Sequence, residues 1–264
     1  MTSSGPQHIA SRDNALLKDL RRLAQDNAAY RKQGRVWLEG DHLCRAALHR
    51  GHAPALAVFQ ASYWSATSAQ WPDAIGKAVV IDDPLFDTIS SLESPGRMAF
   101  VLPLPQAAAI QPGVPTVVLD GLQDAGNVGA ILRCAGAFGF RQVVAMRGTA
   151  ALWGPKVLRA GMGAHFGLHL VEAAQAADTD ALELPLLATS SHEGAFLHAA
   201  RLPWPCAWIF GHEGQGVGPG MAERATQFVR IVQPGGEESL NVAAAAAICL
   251  HASAAAQAPD LAPS

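Results

Sequence analysis

Cysteine is scarce in this 264-residue chain: Cys44, Cys134, Cys206 and Cys249 each stand more than forty residues from the next. That spacing excludes a CxxC metal knuckle or redox pair and fits a reducing cytosol, so a cytoplasmic location is expected. Long apolar runs are missing as well. The opening MTSSGPQHIASRDN lacks the apolar core of a signal peptide, and no stretch reaches the about 18 uninterrupted apolar residues of a membrane span. The alanine-rich C-terminal run comes nearest, but Asn241, His251 and Gln257 interrupt it, and no membrane partner is expected. There is no GxxxxGK[ST] phosphate loop, and GMGAHFG (161–167) misses the GxGxxG spacing by one residue. His192-Glu193 and His212-Glu213 are isolated pairs without HExxH spacing, so no metal is expected. No internal repeat is visible.

What is present describes a folded α/β protein. Half of the residues are hydrophobic (50%) and 16% are charged, and a chain of this length can bury roughly three quarters of its unfolded surface. The net charge of −3 argues against blanket binding of a polyanion. Its distribution says more. Residues 1–60 hold nine Lys/Arg against five Asp/Glu, a balance of +4, which leaves ten basic and seventeen acidic residues, or −7, for the remaining 204. A polyanionic partner would be met by the front of the chain; the same charges also suit an ordinary solvated helix face.

Four prolines between Pro103 and Pro115 predict an extended, semi-rigid linker over 105–115. Ahead of it, residues 1–104 read as a small α/β domain. Ser11 or Asp13 can cap a helix whose apolar face includes Leu16, Leu20 and Leu23, and VWLEG (36–40), ALAVF (55–59) and RMAFVL (97–102) read as strands. Beyond it, residues 116–264 alternate short apolar strands with helical segments. TVVLDGL (116–122), VVAM (143–146), LLATS (186–190), AWIFG (207–211) and FVRIV (228–232) are the strands, a helix passes through AILRCAGAF (130–138), and a long last helix covers about 240–257. Such alternation predicts a parallel sheet covered on both faces, with its chemistry in the loops past the strands' carboxyl ends.

Three such loops hold the chemistry-bearing residues. In LDGLQDAGNVGAILRCAGAFGF (119–140), Asn127 can present an amide near a helix start and Arg133 lies six residues on. The two converge on one site only if Asn127 belongs to the turn and Arg133 to the helix; otherwise the loop is a glycine-rich cap with an arginine in a salt bridge. IFGHEGQGVGPG (209–220) sets Glu213 among five glycines, and QPGGEESLNVAAAAAICL (233–250) sets Ser239, Leu240 and Asn241 at the mouth of an alanine-rich helix. Taken singly, these are a hairpin-type turn and a capped helix.

Taken together and in this order, the loops resemble the three motifs of the SpoU (TrmH-like) branch of the SPOUT superfamily of RNA methyltransferases. Asn127 and Arg133 match the first, Gly211-x-Glu213-Gly214 the second and Ser239-Leu240-Asn241-Val242 the third, with GPKVLRAGMGAHFGLHL (154–170) similar to the family's connecting segment. SRDNALLKDL (11–20) and VWLEGDHLCRAAL (36–48) resemble the small RNA substrate-binding domain of several members. Two departures stand out: His212 where Asn is common, and Gly161 where Ser is frequent.

The resemblance implies a C-terminal parallel sheet with a deep trefoil knot, preceded by a small N-terminal RNA-binding domain, acting as a homodimer. It implies S-adenosylmethionine in a pocket lined by Thr189, Gly211, Ile231 and Leu240. It further implies 2′-O-methylation of a ribose in RNA, with ribosomal RNA favoured and tRNA possible, by Arg133, Asn127, Glu213, Ser239 and Asn241. Arg21, Arg22, Arg31 and Lys32 would contact RNA phosphates, and Tyr30, Trp37, Tyr63 and Trp64 either stack on bases or pack the core. A non-catalytic ribosome-assembly factor that kept the fold is the rival reading, which the joint presence of the five polar residues disfavours.

Overall fold

A computed structural model of the chain describes residues 6–71, 75–90, 95–235 and 239–257. It divides into two compact units, residues 1–106 with 153–166, and residues 107–152 with 167–264.

The first unit is built on a five-stranded mixed sheet. In chain order it comprises β1 (Gln7–Ile9), α1 (Ala15–Gln25), α2 (Ala29–Gln33), β2 (Arg35–Glu39), α3 (Asp41–His49), β3 (Leu56–Gln60), α4 (Ala61–Thr67), β4 (Ala78–Ile81), α5 (Asp83–Phe86) and β5 (Met98–Pro103). The strand order is β1-β4-β3-β5-β2, with the first three parallel and β5 antiparallel to both of its neighbours. Asn14, rather than Ser11 or Asp13, caps α1, its side chain accepting from the Leu16 N–H at 2.9 Å. The apolar face of α1 is also turned by one residue from the expected one: Leu17, Leu20 and Leu23 are buried, while Leu16 is only partly covered. Tyr30 and Trp37 lie in the core, and Trp64 packs its ring 4.7 Å from Phe59, so these aromatics serve packing.

The second unit carries a seven-stranded, fully parallel sheet. Its elements are β6 (Thr116–Asp120), α6 (Ala125–Ala137), β7 (Gln142–Met146), β8 (His169–Ala174), β9 (Leu186–Thr189), β10 (Ala195–Phe196), β11 (Ala207–Gly211), α8 (Pro219–Ala222), β12 (Gln227–Arg230) and α9 (Val242–Ala256), while α7 (Pro155–Gly161), between β7 and β8 in the chain, groups with the first unit. The strand order is β10-β12-β9-β11-β6-β7-β8. Strands β6, β7 and β11 read TVVLD, QVVAM and AWIFG and are almost wholly buried, as a parallel sheet covered on both faces requires. Helix α9 packs along α6 and β11, where the Trp208 indole donates to the Ser253 hydroxyl at 2.9 Å.

The proline-rich stretch is less free than its composition suggests. From Ala107 onward it belongs to the second unit, with Ala108 and Ile110 against the core. Gln142, fully buried, holds it: the side-chain oxygen accepts from the Gln111 N–H at 2.8 Å, and the amide nitrogen donates to the Gln111 carbonyl and the Thr116 hydroxyl. A buried amide that meets both a donor and acceptors avoids the desolvation cost of an unmade bond.

Gly161, at the end of α7, is explained by a neighbour. A Cβ there would lie 2.5 Å from Cε1 of the buried His165, whose ring also faces Trp153 at 5.4 Å. Gly161→Ser is expected to cost about 1–3 kcal/mol by overpacking. Urea denaturation reads the loss, which should shrink in a His165→Ala background because the two sites are in contact.

Candidate functional site

The carboxyl ends of β6 and β11 lie side by side, Asp120 in register with Gly211. The loop after β11 folds back hard: a Cβ on Gly211 would stand 2.2 Å from the Gly216 carbonyl carbon, so only glycine fits. The Gly216 N–H donates to the His212 carbonyl at 2.8 Å and the Gly214 N–H to Nδ1 of His212 at 3.0 Å. His212 thus shapes the loop from within. Asp120 ties it to β6 by accepting the Gly218 N–H at 2.7 Å. On the other side, the Thr149 hydroxyl donates to the Leu119 carbonyl at 2.8 Å and accepts the Gly121 N–H at 3.2 Å, bracing the turn where Gly121 takes φ +73°.

Helix α6 starts earlier than the sequence suggests. Its N-cap is Asp124, whose carboxylate accepts the Asn127 N–H at 2.7 Å, so Asn127 lies in the first helical turn. The Asn127 side chain bridges two other loops. Its amide nitrogen donates to Glu213 at 3.2 Å, and its oxygen accepts from the Asn241 amide nitrogen at 2.9 Å. Asn241 caps α9, its oxygen accepting the N–H groups of Ala243 and Ala244. The helix end therefore fixes the orientation of both amides: the capping oxygen of Asn241 turns its nitrogen toward Asn127, which must then offer its own nitrogen to Glu213.

Partial burial works to raise the Glu213 pKa, but it is overcome. Its own N–H, the Asn127 amide and the N–H groups of Asp124 and Gln123 together hold the carboxyl below its usual 4.5. Glu213 is thus an anion that accepts hydrogen bonds. Burial raises the four thiols, Cys206 to about 11 and Cys249 to about 12, so none is a thiolate nucleophile at neutral pH.

The structure brings Asn127, Glu213 and Asn241 together; it does not bring Arg133 to them. Because Asn127 is already helical, the six-residue separation places Arg133 about 9 Å along α6 and turned to another side. Arg133 is exposed and makes no hydrogen bond or ion pair among the described residues. Ser239 is exposed beside Asn241. Thr189 ends β9, Gly211 ends β11 and Ile231 follows the last residue of β12, at the carboxyl edge of three adjacent strands. Leu240 is exposed. In the first unit, the Arg21 guanidinium is engaged by the carbonyl and hydroxyl of Thr88, Arg31 lies 5.1 Å over the Tyr30 ring, and Arg22 and Lys32 are exposed.

Sequence reasoning missed Asp120, Asp124, Thr149 and Gln233. Asp124 carries a readable signal, a capping residue three positions before Asn127. Gln233, on the strand exit beyond Ile231, holds a buried side-chain oxygen with no hydrogen-bond partner. Among the described residues no group of three or more His, Cys, Asp or Glu is arranged to hold a metal ion, and no helix is long and apolar enough to cross a membrane.

Comparison with known proteins gives the site a context. The model of the SpoU rRNA Methylase family matches residues 115–251. The chain is 27% identical to the 23S rRNA (guanosine(2553)-2'-O)-methyltransferase RlmP of Bacillus subtilis, over 93% of this chain and 98% of that one. It is 30% identical to an uncharacterized tRNA/rRNA methyltransferase of Synechocystis, over 92% of each. Its fold matches the AdoMet-bound rRNA methyltransferase of Sinorhizobium meliloti with a TM-score of 0.81 at 24% identity, covering 96% of this chain and 99% of that one.

The lowered pKa of Glu213 sets the sign of an acid response. A carboxyl whose folded value lies below its unfolded value adds stability that is fully present above about 4.5 and is lost as pH falls through the folded value. The melting temperature of Glu213→Gln is therefore expected to fall less than that of the wild type between pH 5 and pH 3, as measured by thermal denaturation at each pH.

Proposed function

The chain belongs to the SpoU rRNA methylase family, and on that premise we propose that it methylates the 2′-hydroxyl of a ribose in RNA. The methyl donor is S-adenosylmethionine and ribosomal RNA is the favoured substrate. The observation that carries this reading is the Asn241–Asn127–Glu213 chain, which joins three loops at the carboxyl edge of the sheet on the helix that also presents Arg133. A tRNA substrate stands second, since the Synechocystis relative is named for both RNAs.

S-adenosylmethionine, when bound, supplies a methyl carbon made electrophilic by its sulfonium. The residues present fit it. Thr189, Gly211, Ile231 and Leu240 offer a small and apolar lining, and the unpaired oxygen of Gln233 is an acceptor in want of a donor, which the cofactor's amino and hydroxyl groups can provide. Ligands of parallel sheets bind at that edge.

The rest of the work falls to this chain's side chains. A guanidinium offers five N–H donors and no acceptor, so Arg133 is a clamp and not the base. Its guanidinium, turned away from the Asn127–Glu213–Asn241 chain of its own subunit, clamps the RNA phosphate next to the ribose that reacts at the other copy of the homodimer and stabilises the oxygen as negative charge develops there. The cofactor would be held by Thr189, Gly211, Ile231 and Leu240 and would supply the methyl group, while the proton of the 2′-hydroxyl passes to the phosphate or to water. Asn127 and Asn241 fix the loop geometry around the ribose, Glu213 holds Asn127 in place, and Ser239 adds a hydroxyl at the mouth. The 2′-hydroxyl is also what separates RNA from DNA as substrate.

The second unit forms the methyltransferase domain, with a deep trefoil knot in which the segment after β12 threads a preceding loop. Supporting this are the position of β12 beyond β9, the return of α9 to α6 and β11, and the close approaches at Gly194 and Gly211 that tight threading needs. The first unit is the RNA substrate-binding domain, where Arg22 and Lys32 are exposed to meet phosphates, and the stretch from Ala107 to Pro115 packs with the methyltransferase unit. The enzyme is cytoplasmic and a homodimer; Ile248, exposed on α9, suits a face covered by a second copy.

Labelled S-adenosylmethionine and total RNA test the reading, since 2′-O-methylation leaves alkali-resistant dinucleotides whereas base methylation does not. Arg133→Ala is expected to bind the cofactor as the wild type does and to lose about 10²–10³ in methyl-transfer rate. A near wild-type rate would remove Arg133 from the mechanism.

A further inference from the structure

One exposed aromatic stands at the carboxyl edge of the second sheet, away from the Asn127–Glu213–Asn241 chain. Phe196 is 41% exposed and closes β10, the two-residue edge strand, in register with Arg230 at the end of β12. The Arg230 guanidinium carbon lies 4.3 Å from the centre of the Phe196 ring, and its Nε donates to the Gly194 carbonyl at 2.9 Å, which fixes the cation against the ring. His198 sets a second, nearly parallel ring alongside, 5.8 Å away and tilted by 18°. The N–H groups of Ala199 and Ala200 return to the Phe196 carbonyl, so the chain turns directly after the ring.

The support beneath is stiff. Gly194 takes φ +94°, and a Cβ on it would lie 2.1 Å from the Phe228 carbonyl oxygen, so the backbone of this edge is pressed onto β12. Edge strands usually blunt themselves with charge or proline. Here the edge displays an aromatic face with the Arg230 cation held against it, and Glu193 is the one nearby acid in sequence.

We propose that Phe196, held by Arg230 and extended by His198, is a stacking platform for an unpaired base of the RNA substrate, flanking the ribose that is methylated. This rests on RNA being the substrate. Single-stranded bases are gripped by aromatic faces and arginine planes, while phosphates are met by cations, and the edge offers both. Its position suits a flanking nucleotide. β10 is three strands from β11, about 15 Å at about 4.8 Å per strand, so a few nucleotides of single strand span from Phe196 to the carboxyl end at Gly211.

The test uses the full chain with Phe196→Leu, which keeps an apolar side chain but removes the ring, and Phe196→Trp, which enlarges it. Fluorescence anisotropy with a labelled oligoadenylate RNA reads RNA affinity, calorimetry reads S-adenosylmethionine affinity, and light scattering reads the oligomeric state. Phe196→Leu is expected to weaken oligoadenylate binding by about 5- to 100-fold, the usual loss for one stacked base. Phe196→Trp is expected to restore it, with cofactor affinity and oligomeric state unchanged in both. Equal affinity of Phe196→Leu and wild type overturns the platform, as does a change in oligomeric state that accounts for the loss, which would assign the ring to an interface between copies. Failure of the wild type to bind oligoadenylate also overturns it. RNA binding without any cofactor binding would instead sink the methyltransferase reading and leave the platform standing.

Discussion

The candidate site depends on a directed chain of four hydrogen bonds that starts at a helix end. Asn241 must give its oxygen to the free N–H groups of α9, because uncapped helix termini leave donors unsatisfied. That obligation turns its nitrogen toward Asn127, and the same logic passes on to Glu213. Each bond is modest and partly exposed, but the sequence of donors and acceptors admits one arrangement. Three loops that could drift separately are held in register by side chains that have no second way to satisfy their neighbours. Glu213 at the far end is an anion because backbone N–H groups and the Asn127 amide converge on it, against the penalty of its partial burial.

Around this chain the sheet provides placement. Seven parallel strands send all their carboxyl ends to one edge, so the loops after β6, β9, β11 and β12 are neighbours although far apart in sequence. Glycine provides closeness: Gly211 lets its own loop fold onto Gly216, and Gly194 lets the β10 edge press onto β12. Gln142 does the corresponding work at the sheet's other end, fastening the entry segment by its side-chain amide. At the candidate site backbone, not side-chain bulk, sets the distances.

The sequence made the second unit legible where strands are buried on both faces. The apolar runs of β6, β7, β9 and β11 fall within a residue or two of their observed bounds, because no surface half-pattern competes with them. β8 is hidden: HLVEAA includes Glu172, whose carboxylate accepts the Leu152 N–H, and Ala173 takes φ +59° where the pairing with β7 slips. β1 and β10 are too short, at three and two residues, for any periodicity. The grouping of 153–166 with the first unit has no local signal, since the elements it packs with lie more than a hundred residues earlier. In the site, Asn127, Glu213 and Asn241 were readable as a motif set. The helical placement of Asn127, which separates it from Arg133, turns on the Asp124 cap three residues ahead of it.

The long reach of the amide chain has a bearing on how the protein comes into being. Asn127 and Asn241 are 114 residues apart, so during translation Asn127 emerges from the ribosome well before the residue that orients it. Contacts of such sequence separation form late and slowly. A growing polypeptide therefore holds an unfinished crevice until α9 has been made and docked, and any event that halts synthesis ahead of that helix yields a sheet without a working centre.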